Sequence, residues 1–257
     1  MSFRELHERE QLFVMPNPWD VGSARLLASL GFEALATTSA GFAWSLGKPD
    51  QTVTRDELVA HVAALAAATP LPLNVDSERC YPDDPGGVAR TAALLAEAGA
   101  AGFSIEDYDP ANDRIDDVEV AAERVREAAE AADGLVLTGR AENHLHGVHD
   151  LDDTIARLLA YRDAGAEVVY APGLTDADQI RAVVEAVGVP VNVLALPSGP
   201  PVSELASLGV RRVSTGGALA RSAYGALLAA AQELREHGTS SYVEGGPSRD
   251  TLHAAFS

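Results

Sequence analysis

The chain has one cysteine, Cys80, among its 257 residues. A lone thiol excludes an intrachain disulfide and any zinc cluster built on several cysteines. Lysine is equally scarce: Lys48 is the only one, and arginine supplies the rest of the 19 basic residues. This scarcity reads first as codon bias in a GC-rich genome and second as adaptation to high salt. A Schiff-base mechanism needs a site lysine, and Lys48 sits in the loop-like Gly47-Lys48-Pro49 rather than at a strand end. No apolar run reaches the roughly 18 residues that cross a bilayer. The opening Met1-Ser2-Phe3-Arg4-Glu5 is charged and lacks the apolar core of a signal segment. A cytoplasmic protein with no membrane partner is expected. The formal net charge of −19 would repel nucleic acid, so no nucleic-acid partner is expected either.

Hydrophobic residues make up 47% of the chain, enough for a large core. The length suits one (β/α)8 barrel. Eight short β-like runs stand near Leu12–Met15, Ala34–Thr38, Leu73–Asp76, Gly102–Glu106, Val136–Arg140, Val168–Ala171, Val191–Leu194 and Arg212–Thr215. Helical stretches separate them, among them Ser23–Leu30, Arg55–Ala67, Val88–Ala98, Val118–Ala132, Leu151–Ala164, Asp176–Val187 and a short Val202–Leu208. The last is Ala218–His237. Gly31, Gly99, Gly165 and Gly209 each stop a helix before a strand. Strict alternation predicts a parallel sheet under helices. Eight units favour a closed α/β TIM barrel over an open doubly wound sheet. Residues 1–257 read as one barrel domain, with a Gly/Ser/Thr-rich tail from about 238 and a short apolar helix over Arg249–Phe256.

Barrel enzymes place their chemistry at the C-terminal ends of the strands, and polar residues gather there. The second strand ends in Thr37-Thr38-Ser39-Ala40-Gly41, the third in Asp76-Ser77-Glu78 and the fourth in Glu106-Asp107. The fifth ends in Arg140-Ala141-Glu142-Asn143, and the seventh carries Asn192. In extended chain, residues two apart share a side, so Asp76 and Glu78 would repel unless a cation lies between them. An oxygen-rich site without thiols suits Mg2+ or Mn2+, and Glu106 adds a third carboxylate one strand over. The plainer alternative is a solvated Glu78 at the start of a loop. Arg140 closes an apolar strand, where its guanidinium can grip a carboxylate or pair with Glu106 or Glu142. Ser39-Ala40-Gly41 is a small-residue turn able to offer N–H groups to an anion; by itself it reads first as a plain βα turn. His144, His146 and His149 follow no standard zinc spacing. Cys80 has no neighbouring base to activate it.

Several of these segments, taken in order, resemble the isocitrate lyase/phosphoenolpyruvate mutase superfamily. They are Pro16-Asn17-Pro18-Trp19-Asp20-Val21-Gly22-Ser23-Ala24-Arg25, Thr37–Gly41, Gly47-Lys48-Pro49-Asp50, Asp76–Glu78, Ser104-Ile105-Glu106-Asp107, Arg140–Asn143, Tyr170-Ala171-Pro172-Gly173-Leu174 and Val191–Ala195. The resemblance runs from about Phe13 to Leu234. It implies a barrel whose eighth helix is exchanged between subunits of a homodimer or homotetramer, with a magnesium cofactor and a small oxyacid substrate. By position, Asp76 would be the direct metal ligand, and Asp50, Glu78 and Glu106 would act mainly through water. Ser39, Ala40 and Gly41 would hold the substrate carboxylate, with Asn192 beside them and Arg140 on the oxyanion. Two departures bear on the reaction. The lyase branch has a Lys-Lys/Arg-Cys-Gly-His loop where this chain reads Tyr108-Asp109-Pro110-Ala111-Asn112-Asp113-Arg114, and the mutase branch has a lysine where Tyr108 stands. The Gly-containing turn of relatives is replaced by Arg79-Cys80-Tyr81-Pro82, a change expected to reshape the mouth. The expected activity is a Mg2+-dependent carbon–carbon lyase or decarboxylase acting on a small 2-oxo or 2-hydroxy acid, oxaloacetate-like or substituted malate-like, through an enolate. Glu106, Arg140 and Tyr108 are its candidate catalytic residues, with Tyr108, Glu142 or water as the acid. Phosphonopyruvate hydrolysis and a non-catalytic oxyacid-binding role are the alternatives.

Overall fold

The computed structural model describes residues 1–257. Eight parallel strands form one sheet in the order β1 (Phe13–Met15), β10 (Arg212–Ser214), β9 (Val191–Leu194), β8 (Val168–Tyr170), β7 (Val136–Arg140), β4 (Gly102–Glu106), β3 (Leu73–Asp76) and β2 (Leu35–Ala36). The two ends meet where Ala36 N donates to Pro16 O at 3.1 Å and Asn17 Nδ2 donates to Thr37 O at 2.7 Å. Asn17 Oδ1 also accepts from the backbone of Thr215 and Gly216. One side chain thus joins the ends of three segments and closes the barrel. The closed form stands over the open sheet.

Strand alternation sorts the interior. Leu35, Val75, Phe103, Ile105, Leu137, Val169, Val193 and Val213 point outward into the main core. They meet the helices there: α2 (Val21–Ser29), α4 (Arg55–Ala68), α5 (Gly87–Glu97), α6 (Val118–Ala131), α7 (Leu151–Asp163), α8 (Ala177–Val187) and α9 (Val202–Ser207). The other faces of the strands point into the barrel. Near the floor they are apolar, with Phe13, Met15, Ala34, Ala36, Val136 and Val168 packed under Phe3 and Leu6 of α1 (Phe3–Glu8). This helix was not among the expected elements. Its signal is short, the capping box Ser2-x-x-Glu5 with Phe3, Leu6 and His7 on one face.

Ser39–Ser45 forms a helix, α3, capped by the Thr38 side chain, where a turn was expected. Tyr108–Asp109 (β5) and Arg114–Ile115 (β6) pair as an antiparallel hairpin above the barrel. The final long helix, α10 (Ala218–His237), buries only Ala220 and leaves Leu227, Leu228 and Leu234 exposed. A short α11 (Arg249–Phe256) folds back to α2, where Arg25 Nη1 donates to Phe256 O at 3.2 Å. No helix is long and apolar enough to cross a membrane.

Candidate active site

A cavity of about 190 Å³ opens at the C-terminal ends of the strands and runs down into the barrel. Ser39, Ala40, Asp50, Asp76 and Arg140 line its upper part; Asn74, Ser104, Asn192 and Arg212 line its lower part. Each polar pair lies two residues apart on one strand: Asn74 and Asp76, Ser104 and Glu106, Thr138 and Arg140, Arg212 and Ser214. Barrel interiors are usually filled with branched apolar side chains. Here the middle layer is polar, which keeps a wettable shaft beneath the mouth.

Arg140 is the hub of the mouth. Its Nη1 meets Asp76 Oδ1 at 2.5 Å, and its Nη2 meets Glu106 Oε2 at 3.1 Å and Glu142 Oε1 at 2.9 Å. Its Nε also donates to Glu142 Oε1. The guanidinium carbon lies 5.3 Å from the centre of the Tyr170 ring, its register partner on β8. The three carboxylates hold the Arg140 cation well above its ordinary range, against the opposing effect of burial. Burial pushes the Glu106 and Glu142 carboxyls up, and Arg140 works against that shift. Asp107 anchors the exit of β7 behind this cluster. Its Oδ1 accepts from Glu142 N at 2.8 Å, its Oδ2 from the Tyr161 hydroxyl at 2.5 Å, and Arg157 pairs with it at 3.2 Å.

The expected site residues divide between the cavity wall and the shell behind it. Asp76, Asp50, Arg140, Ser39, Ala40 and Asn192 are on the wall. Gly41 lies behind it: its N–H is taken by Thr38 Oγ1, and a Cβ would meet Thr38 Cγ2 at 2.6 Å and Trp19 Cβ at 3.0 Å. It is a packing glycine and not a group on the wall. Glu106 is also behind the wall, with Oε1 accepting from Gln51 Nε2 at 2.9 Å. Glu78 faces a second, larger cavity shared with Gln51, Arg55 and Tyr81. Tyr108 stands outside the wall. Its hydroxyl donates to Asp113 at 2.9 Å, and its ring stacks on His146 at 3.7 Å. The hairpin that carries it is tied by Asn112 Nδ2 to Asp109 Oδ2 at 2.7 Å. Sequence reasoning missed Asn17, Asn74 and Arg212; the period-two polar pattern on the strands was the available signal.

The altered turn after β3 is locked by its own side chains. Glu78, Cys80 and Tyr81 adopt left-handed φ values of 51°, 62° and 51°, a conformation that favours glycine. Arg79 pairs with Asp116 at 2.9 Å, Cys80 is buried in the core, and the Tyr81 hydroxyl donates to Val53 O at 3.1 Å. Burial pushes the Cys80 thiol up to about 12, so it is no nucleophile.

The oxygen donors around Asp76 fit a hard divalent cation. Glu78 Oε1 is buried without a partner, and burial, then the Asp76 and Asp50 charges, push this carboxyl up to about 8. No three carboxylates converge into a closed cage. Magnesium needs none, because it keeps several waters and takes one or two carboxylates directly. His144 and His149 meet edge to face at 5.5 Å, away from this set.

The chain matches the phosphoenolpyruvate phosphomutase family over residues 3–235. It is 32% identical over 223 residues to an oxaloacetate decarboxylase of Paraburkholderia xenovorans, covering 82% of this chain and 72% of that one. Among solved structures, a Burkholderia cenocepacia protein provisionally described as a lyase or mutase is 53% identical. It superposes with a TM-score of 0.94 over 100% of this chain and 94% of its own. A 2,3-dimethylmalate lyase of the PEP mutase/isocitrate lyase superfamily is 27% identical, with a TM-score of 0.86 over 98% of this chain and 92% of that one. The barrel, the mouth motifs and these likenesses together place the chain in the phosphoenolpyruvate phosphomutase family, as an enzyme of the PEP mutase/isocitrate lyase superfamily.

Proposed function

We propose that this enzyme is a Mg2+-dependent carbon–carbon lyase or decarboxylase acting on a small 2-oxo or 2-hydroxy acid through an enolate. The observation that carries the reading is the Arg140 fork, held beside Asp76 on the wall of a small polar cavity. Asp76 would hold the cation directly, and Asp50 and Glu78 would act through its waters, while Glu106, expected among them, has its oxygens on Gln51 and Arg140. The bound cation would supply positive charge next to the substrate carboxylate and its C2 oxygen. Ser39 N donates to Asp76 Oδ2 at 2.9 Å and so sets the ligand's orientation. Arg140 faces the same space and stabilises negative charge that grows on the C2 oxygen as the bond breaks. Glu106 and Glu142 hold its plane. Tyr108 is turned to Asp113, and Glu142 lies behind Arg140, so water entering through the mouth is the proton source at carbon.

The test is turnover of oxaloacetate, 2-methylmalate-type acids and phosphonopyruvate with and without Mg2+. Carbon–carbon cleavage that stops with chelator is expected. Turnover of phosphonopyruvate alone would move the reading to carbon–phosphorus cleavage. Oxalate binding with no turnover would make the protein a binder. On the same reading the chain is a homodimer or homotetramer in which the exposed apolar face of α10 packs on a partner. A single-subunit mass by light scattering in low and high salt would refute that assembly.

A further inference from the structure

Arg212 lies on β10 with its side chain inside the barrel, and only 1% of the residue is exposed. A buried cation is costly unless an anion meets it. The other arginines set deep in the protein obey this rule: Arg124 faces Asp116, Arg157 faces Asp107, and Arg140 faces three carboxylates. Arg212 has neutral partners only. Its Nε donates to Asn192 Oδ1 at 2.9 Å, its Nη2 to Thr138 Oγ1 at 3.0 Å, and its Nη1 meets His7 Nε2 at 3.1 Å. His7 bonds Phe3 O through Nδ1 at 2.8 Å, and the neutral tautomer protonated there leaves Nε2 as the acceptor. No negative charge arrives from that side. Burial pushes the Arg212 guanidinium down to about 9, which still leaves it cationic at neutral pH.

A guanidinium has five N–H donors and no acceptor. Three contacts leave one N–H on each terminal nitrogen without a protein partner. A second donor shares the lower part of the cavity with Arg212. Asn74 is 4% exposed, and its Oδ1 is buried beside Gly102 without a partner. The end of the amide left to the cavity is its N–H2. The acceptors nearby are already engaged: Asn192, Thr138 and His7 receive Arg212 itself, and Ser214 Oγ receives Asn192 Nδ2 at 2.9 Å. A water there would meet donors from Arg212 and Asn74 but no free acceptor for its own hydrogens. A monatomic anion is matched by donors alone.

We propose that the lower shaft is a halide site, in which chloride sits between the free N–H groups of Arg212 and the Asn74 amide as a resident counter-ion. Chloride brings the single negative charge that no neighbour of Arg212 supplies. Asn192 and Thr138 fix the plane of the guanidinium, so its free N–H groups are set before the ion arrives. The shaft ends below on apolar Met15 and Ala36, which offer no competing polar group. Arg212 also holds His7 of α1, so the ion stabilises the sealed floor through it. The site lies below Asp76 and Arg140 and stands independently of the reading of the mouth.

Two measurements on the whole protein test this, with bromide as the probe because its anomalous scattering identifies it. In crystals grown with sodium bromide, one bromide should contact both Arg212 and Asn74. In solution, bromide should replace isethionate at constant total sodium, so that general screening by salt does not change. A dissociation constant of about 10 mM would then raise Tm by about 4–8 °C between about 5 and 500 mM bromide. Arg212→Met should abolish that rise. Asn74→Asp supplies the negative charge from the protein and should abolish it too. A parent Tm indifferent to the anion would overturn the proposal, even if Arg212→Met does not fold. So would an equal rise in either folded variant, or a map with no bromide at Arg212. A bromide peak without the rise in Tm would mean binding at crystal concentration only, and no resident ion.

Discussion

Removing Arg140 should cost stability as well as activity, and the cost should depend on pH. Its guanidinium is the one cation paired with Asp76, Glu106 and Glu142, whose side chains are 17%, 3% and 4% exposed. In Arg140→Ala these carboxylates remain buried with no cation. Breaking a buried pair from one side costs about 3–5 kcal/mol. The carboxyls can limit that loss by taking up protons. Burial already pushes Glu106 and Glu142 up, and losing Arg140 raises them further above their unfolded values. A group with a raised folded pKa binds more protons in the native state, so its contribution to stability is lost as pH rises. The variant should therefore lie close to the parent near pH 5 and fall about 3–5 kcal/mol below it at pH 8. Urea denaturation followed by circular dichroism, in chelator, reads both values. On its best substrate, the folded variant should lose roughly tenfold to over a hundredfold in kcat/KM, the equivalent of about 1.5–3 kcal/mol. Arg140→Lys keeps the charge without the fork and should lose less. A variant within 1 kcal/mol of the parent at pH 8, with a parallel pH profile, would refute the hub assignment.

Three further outcomes are expected. Asp76→Ala should abolish Mg2+ uptake measured by calorimetry, and unchanged affinity would remove Asp76 as the ligand. Tyr161→Phe takes a hydroxyl from the buried Asp107 carboxylate and should cost about 1.5–3 kcal/mol in urea denaturation; a loss under 0.5 kcal/mol would contradict this. Burial holds His7 at about 3, far below its ordinary 6.5, so the native state refuses a proton that the unfolded chain accepts. The stability this histidine contributes is complete above pH 6.5 and is lost as pH falls toward 3, at up to about 1.4 kcal/mol per pH unit. His7→Gln should flatten the fall between pH 6 and 4, and an unchanged slope would refute it.

Local chemistry made the barrel legible in the sequence. Gly31, Gly99, Gly165 and Gly209 all stop helices with positive φ, at 85°, 92°, 112° and 89°. The bounds of Leu73–Asp76, Gly102–Glu106, Val136–Arg140 and Val191–Leu194 agree with the strands seen. Such features depend on a residue and its near neighbours, and so do the carboxylates and the arginine set at strand ends. What those side chains face depends on residues far along the chain. Arg140 reaches Asp76 across 64 residues, and Arg212 reaches Thr138 across 74 and His7 across 205. The reversal of Tyr108 toward Asp113, the sealing of the floor by α1 and the retreat of Gly41 behind the wall were likewise decided by packing. A sequence pattern states which groups stand on a strand; only barrel closure sets which of them meet, because burial makes each charge find the partner that the closed geometry offers.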